Sequence, residues 1–224
     1  MAAESLAAQL RQKHSEMMIS EVTGVALRLF EERGFEAVTV DEVAATAQIS
    51  VRTFYRYFPA KEDVLQVHID RRAAALRRAL AERPADERPL HSLRAALAEV
   101  VSAEDPVLRL RWTSVVAATP SVLPGVLGGI QLKSLRTMAD FLGARLDLAS
   151  DSLVPTMLAA AVGGVIQAAS TQWFVHGGDL GTMIADGIQV LERGIGSDPQ
   201  AWSSHPKPPR SPGRTKPPNR RRPG

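Results

Sequence analysis

The 224-residue chain contains no cysteine, which excludes disulfide staples and thiolate metal sites and fits a reducing interior. It also lacks the short signatures of common catalysis: there is no G-x-S-x-G elbow, Walker-type glycine loop, G-x-G-x-x-G fingerprint or H-E-x-x-H pair. The five histidines, His14, His68, His91, His176 and His205, are scattered. Carboxylates fall on expected solvent faces or at helix starts, where the helix dipole accounts for them. An enzyme is therefore not expected, and neither a cofactor nor a metal. The N-terminus, MAAESLAAQLRQKHSEMM, carries Glu4 in its most apolar part and has no unbroken hydrophobic segment, so no secretory signal is expected and the location inferred is cytoplasmic.

Charge is present but unevenly placed. The sequence pI near 9.6 suggests a polyanionic partner, yet seven basic residues and one acid lie from Ser197 onward. Removing them from the chain's 27 basic and 24 acidic residues leaves 20 and 23, a net charge near −3. Basicity is a property of the tail, residues 197–224, which also holds eight of the 15 prolines and is expected to be disordered. It either adds non-specific affinity for DNA or acts as a solubilising extension. Any case for nucleic acid must rest on local pattern.

That pattern lies between Thr39 and Phe58, TVDEVAATAQISVRTFYRYF. Thr39 with Glu42 three residues on forms a capping box that opens a short helix at Val40. Ser50 is a second N-cap, and Pro59 must end the helix it opens. On this second helix Phe54 and Phe58 are four apart and share a face that points into a core. The opposite side carries Val51, Arg52, Thr53, Tyr55, Arg56 and Tyr57. Between Glu42 and Glu62 the only charged residues are Arg52, Arg56 and Lys61. An acid-free run with hydroxyls and guanidinium groups suits a phosphate backbone and base edges.

The segment resembles the DNA-binding headpiece of TetR-family transcriptional regulators, in the pattern T-x-x-x-I/V-A-x-x-A/G-x-I/V-S-x-x-T-F/L-Y-x-Y/H-F-x-x-K-E/D-x-L. Thr39, Val43, Ala44, Ala47, Ile49, Ser50, Thr53, Phe54, Tyr55, Tyr57, Phe58, Lys61, Glu62 and Leu65 match it, and the resemblance covers roughly Glu16 to Leu65. One departure is Ala60, where such proteins usually carry a capping Ser, Asn or Asp, so the next helix start is expected to fray. The resemblance implies an all-α fold of about nine helices: a three-helix helix-turn-helix headpiece followed by a helical ligand-binding and dimerisation body. It implies that Val51, Arg52 and Thr53 meet base edges, that Thr39, Tyr55, Tyr57 and Lys61 hold phosphates, that Arg56 does either, and that Ser50 caps the reading helix. The implied function is a homodimeric repressor that leaves a palindromic operator when a hydrophobic small molecule binds. Two other readings stay open, a constitutive architectural DNA binder using the basic tail and a helical small-molecule-binding protein that no longer reads DNA.

The chain divides into a loose arm (1–15), the headpiece (16–60), the body (61–196) and the tail (197–224). Arg11 and Lys13 of the arm either reach DNA backbone or minor groove or belong to a solvated terminus. His68 is expected as a packed core histidine or as a sensor. The segment SVLPGVLGGIQ, with one proline and three glycines, is expected to kink or unwind a helix start. Residues 152–175 carry no charged side chain and are long enough to span a bilayer, but their polar residues and their Ala and Gly content favour burial, and no membrane partner is expected. Ala160, Gly163, Gly164 and Ala168, with Met183, Ile184, Ile188 and Leu191 on the last helix, read as the two-fold dimer interface of such regulators. Trp112, Val116, Met138, Phe141, Met157 and Trp173 are the candidates for an effector pocket.

Overall fold

A computed structural model describes residues 2–194 of the chain. Met1 and the segment 195–224, and with it the reading of the basic tail, lie outside the described residues. Among the described residues every regular element is a helix: α1 (Ala2–Arg33), α2 (Val40–Thr46), α3 (Val51–Tyr57), α4 (Asp63–Ala81), α5 (Pro89–Ala103), α6 (Pro106–Ala117), α7 (Leu123–Leu146), α8 (Leu153–His176) and α9 (Leu180–Arg193).

Local chemistry sets most of the boundaries. Asp105 accepts from the Val107 N–H at 2.9 Å with Pro106 at the first helical position, and Asp179 accepts from the Thr182 N–H at 2.6 Å. Gly34, at φ 85°, closes α1 by donating to the Phe30 carbonyl at 2.9 Å. Two expectations are corrected. Residues 2–15 are not a loose arm but the first half of α1, which runs unbroken for 32 residues. The glycines of 121–131 do not unwind α7, because Pro124 sits in its first turn where no N–H is required. At Ala60 the cap is missing as expected: no side chain caps α4, which begins at Asp63, and the Ala60 N–H donates to Asp63 Oδ2 at 2.7 Å.

The helices bury two apolar clusters. One gathers Val22, Leu27 and Phe30 of α1, Val43 and Ala44 of α2, Phe54 of α3 and Leu65 of α4, and continues into Trp112, Val115 and Val116 of α6. The other joins Leu76 and Leu80 of α4, Leu93 and Leu97 of α5, Met138 and Leu142 of α7, Val162 of α8 and Ile184 and Ile188 of α9. Helix α4 spans both, and α6 packs on α1.

A polar seam ties α4, α6 and α8 together where the clusters meet. His68 is buried, stacks on Trp112 with ring centroids 4.6 Å apart, and places Nε2 2.9 Å from Glu104 Oε1. The Trp112 indole donates to the Leu65 carbonyl at 3.0 Å. Arg109 sits 3.5 Å from Glu104 Oε2, donates to the Val101 carbonyl at 3.1 Å and lies over the Trp173 ring at 5.2 Å. The fit is imperfect, since His68 Nε2, both Glu104 oxygens and Arg109 Nε lack a well-aligned hydrogen bond. Burial raises the Glu104 carboxyl, but His68, Arg72 and Arg109 together outweigh it and hold the group below its ordinary range.

Two outcomes follow from this packing. A Cβ on Gly143 would lie 2.8 Å from the Leu148 carbonyl oxygen, in the loop that folds back over α7, whereas one on Gly24 of α1 meets nothing within 4 Å. Gly143→Ala should lower stability in urea by about 1–3 kcal/mol despite the better helix former, and Gly24→Ala should not. Equal gains at both sites would refute the close approach. Glu104→Gln should cost about 1–3 kcal/mol near neutral pH. Because the folded-state pKa of Glu104 lies below the ordinary 4.5, its contribution is complete above pH 4.5 and disappears as pH falls through the lower folded value. Wild type and E104Q should therefore converge in acid-titrated melting curves.

Candidate functional site

The headpiece site is built by two caps and one turn. At α2 the Thr39 hydroxyl accepts from the Glu42 N–H at 3.3 Å while the Thr39 N–H donates to Glu42 Oε2 at 2.8 Å. Arg33 completes the corner at 2.8 Å from Glu42 Oε1. The Thr39 N–H, the Arg33 guanidinium and the Thr39 hydroxyl hold the Glu42 carboxyl below its ordinary range. Gln48 makes the turn at φ 56°, a left-handed conformation that disfavours side chains other than glycine and that the sequence reading did not identify. The Ile49 N–H closes the turn onto the Ala44 carbonyl at 2.9 Å. Ser50 then caps α3, accepting from the Thr53 N–H at 3.0 Å.

Helix α3 is seven residues long and held by aromatics. Phe54 is 0% and Phe58 1% exposed, with ring centroids 5.1 Å apart. With that face inward, Arg52, Tyr55 and Arg56 are exposed, Val51, Thr53 and Tyr57 are half-buried at its margin, and α3 contains no acid. The arrangement presents two guanidinium groups, a phenol and the Thr53 hydroxyl on one outward surface.

Not every expected contact residue is equally available. The Lys61 ammonium donates to the Phe35 and Val38 carbonyls at 2.8 and 3.0 Å and lies 4.2 Å from the Phe35 ring centroid. The Thr39 hydroxyl is occupied by Glu42, and the Ser50 hydroxyl lies 2.8 Å from that of Thr53. These three side chains build the corner on which α3 stands. Arg56 donates to the Tyr57 hydroxyl at 3.1 Å, which fixes both at the C-terminal end of α3.

In the body, the six expected pocket residues are divided between the two cores. Trp112 and Val116 belong to the headpiece-side cluster and Met138 to the other, all buried. Phe141 is half-buried under Arg145, Trp173 lies under Arg109, and Met157 is 54% exposed. Across the two clusters, Trp112 and Trp173 are linked through the His68–Glu104–Arg109 seam. A cleft of about 530 Å³ between α1 and α6 and one of about 680 Å³ between α1 and α3 contain none of the six.

The expected dimer residues also separate. Ile184 and Ile188 are 1% and 0% exposed within the protomer and have no surface to offer a partner, which corrects that assignment. Their stripe faces α5 and α8 of the same chain. Gly163 is likewise taken, because its Cβ position lies 2.8 Å from Leu135 of α7. Met183 and Leu191 are half-buried against the body core. Ala160, Gly164 and Ala168 are exposed, and with Leu153, Met157, Thr171 and Val175 they form one uncharged stripe along α8 at helical spacing.

Comparison with known proteins agrees with this architecture. Residues 23–67 match the family model for bacterial regulatory proteins of the tetR family, and residues 87–196 match that of the MftR C-terminal domain. The chain is 31% identical over 177 residues to the HTH-type transcriptional regulator TcmR of Streptomyces glaucescens, covering 75% of this chain and 77% of that one. It is 43% identical over 68 residues to the HTH-type transcriptional regulator EthR of Mycobacterium tuberculosis, a match to 29% of this chain and 32% of EthR. The crystal structure of Thermus thermophilus FadR, a TetR-family transcriptional repressor in complex with lauroyl-CoA, superposes with a TM-score of 0.56 at 21% identity, covering 80% of this chain and 96% of that one. The headpiece motif and geometry, both family models and the long match to TcmR lead to one conclusion: the chain belongs to the TetR family of helix-turn-helix, DNA-binding transcriptional regulators.

Proposed function

We propose that this regulator is a homodimeric repressor whose two α3 helices enter successive major grooves of a near-palindromic operator, and that a hydrophobic small molecule releases it. The observation that carries the reading is the outward face of α3, with Arg52, Tyr55 and Arg56 exposed on a helix that has no acid and whose opposite face is completely buried. Val51, Arg52 and Thr53 at its first turn take the base edges, where one good bidentate pair discriminates by about 1–3 kcal/mol. Tyr55, Tyr57 and Arg56 take phosphates, and Thr39, Ser50 and Lys61 brace the corner and add a contact where a donor is left over.

The dimer reading rests on α8. Its exposed stripe of small and apolar residues suits close approach of the same helix from a second protomer about a two-fold axis. An effector acts by binding more tightly the state in which the two headpieces are wrongly spaced. The seam flanked by Trp112 and Trp173 is the proposed point of entry, since it joins α6 and α8 to α4 beside a charged group buried with imperfect partners.

A gel shift with DNA from upstream of its own gene tests the core of the proposal. Wild type should retard that DNA in preference to scrambled duplex, and Arg52→Ala should lose about ten- to a hundredfold of the preference. A panel of hydrophobic compounds should contain members that release the complex. Equal binding of every duplex by wild type would reject operator reading. For the dimer, Gly164→Arg places its side chain in open space within the protomer. It should leave the helical content unchanged, convert the protein to monomers in sedimentation, and weaken operator binding by about a hundredfold or more through lost bivalency. A dimer that persists would remove α8 from the interface.

A further inference from the structure

Residues 9–17 of α1 have no place in the regulator's core. From Gln9 onward the first side chain packed against a core is Ile19 and the first buried one is Val22, so residues 9–17 are not held by apolar packing. They nevertheless lie beside α3. Leu10, Arg11, His14 and Ser15, all on one face of α1, stand across a cleft of about 680 Å³ from Arg56 and Tyr57. Among the described residues the cleft is lined by two guanidinium groups, an imidazole, a phenol, an alcohol and the Leu10 side chain, and by no carboxylate. Glu16, the nearby acid along α1, accepts from Gln12 at 3.0 Å.

We infer that this cleft seats a backbone phosphate of the DNA flanking the bases that α3 reads, with Arg11 and His14 closing on it from α1 and Arg56 and Tyr57 from α3. The inference rests on the operator-reading function proposed above and extends its footprint. Three features favour a duplex phosphate over a free anion. The cleft is open, and four of its six lining side chains, Leu10, Arg11, His14 and Arg56, are exposed, which a small ion would leave solvated. Arg56 is one helical turn beyond Arg52, so a strand whose bases meet Arg52 carries its phosphates past Arg56. The phenol of Tyr57 already accepts from Arg56, which leaves its own O–H to donate outward. A continuous helix also delivers Arg11 at a fixed position, so less conformational freedom is lost on binding than with a flexible arm.

The test uses the full-length chain and a fluorescent duplex selected by that chain from random-sequence DNA, with anisotropy titrations at 50 to 200 mM salt. The double variant Arg11→Ala, His14→Ala should bind about tenfold more weakly and keep the wild-type preference for operator over scrambled duplex. Its log–log salt slope should be shallower by about 0.9 for each phosphate lost, or about 1.8 per dimer. Trimming the flanking base pairs should abolish the difference between wild type and variant. Unchanged circular dichroism is expected, since both side chains are exposed. Three results overturn the proposal: equal affinity and slope, a loss of sequence preference matching that of Arg52→Ala, or equal competition by millimolar inorganic phosphate, which would mark a free-anion site. If wild type binds duplex with preference and the double variant matches it, only this inference fails. If wild type shows no preference for any duplex, the operator reading fails with it.

Discussion

Burial of Phe54 and Phe58 is the constraint on which the rest depends. A helix of seven residues does not form alone in water, since nucleation alone is unfavourable by a factor of about a thousand. Two phenyl rings at 0% and 1% exposure contribute about 3–6 kcal/mol between them, enough to hold α3 in place. They also fix its rotation. With positions 54 and 58 facing the core, 52, 55 and 56 must face away, so the same contact that makes the helix exist points its guanidinium groups at solvent. Recognition chemistry here follows from core packing.

In the proposed release by an effector, the seam around His68 is the element that would carry a signal to that helix. Helix α4 contributes to both cores, and the Leu65 carbonyl receives the Trp112 indole N–H one turn before His68 stacks on the same ring. Helix α6 therefore grips α4 close to where α4 leaves the headpiece. Buried charged groups of this kind are a poor source of net stability, because desolvation offsets much of their attraction. They hold a position firmly while all partners are present and cost about 1–3 kcal/mol when one hydrogen bond is lost. Allosteric coupling free energies fall in the same range, about 1–3 kcal/mol. Rearranging one contact among Glu104, His68 and Arg109 would thus suffice to change the tilt of α4, and no large movement of the apolar cores is required.

The parts legible in the sequence are those specified by neighbouring residues. Capping by Thr39 and Glu42, Ser50, Asp105 and Asp179, and closure at Gly34, involve partners only a few positions apart, and each is found where the pattern places it. Helix α1 was harder to read because residues 2–15 have good helix formers but no apolar stripe, and periodicity reports burial rather than helicity. An apolar stripe likewise shows that a face is covered and does not show which chain covers it. Ile184 and Ile188 face their own protomer for that reason. The polar seam was invisible beyond His68 alone, since His68 and Glu104 are 36 positions apart and meet only through the packing of α4 against α5 and α6.

Helix α8 shows how one charge-free segment can satisfy two different demands. On one side it must pack on α7 and α9, and the glycines permit this: Gly163 admits Leu135, and Gly187 of α9 lies so close to Val165 that a Cβ there would collide with it. On the other side the stripe from Leu153 to Val175 is exposed in the single chain. By length and composition alone α8 could cross a bilayer. A lipid-facing helix, however, gains nothing from presenting Ala160, Gly164 and Ala168 in a row, whereas a helix approached by its own two-fold copy gains close backbone contact from them. In the proposed dimer the uncharged stripe meets an identical one, so no charge is left without a partner. A junction of that kind would fix the two bodies as one unit and leave the tilt of each α4 to decide the separation of the two α3 helices.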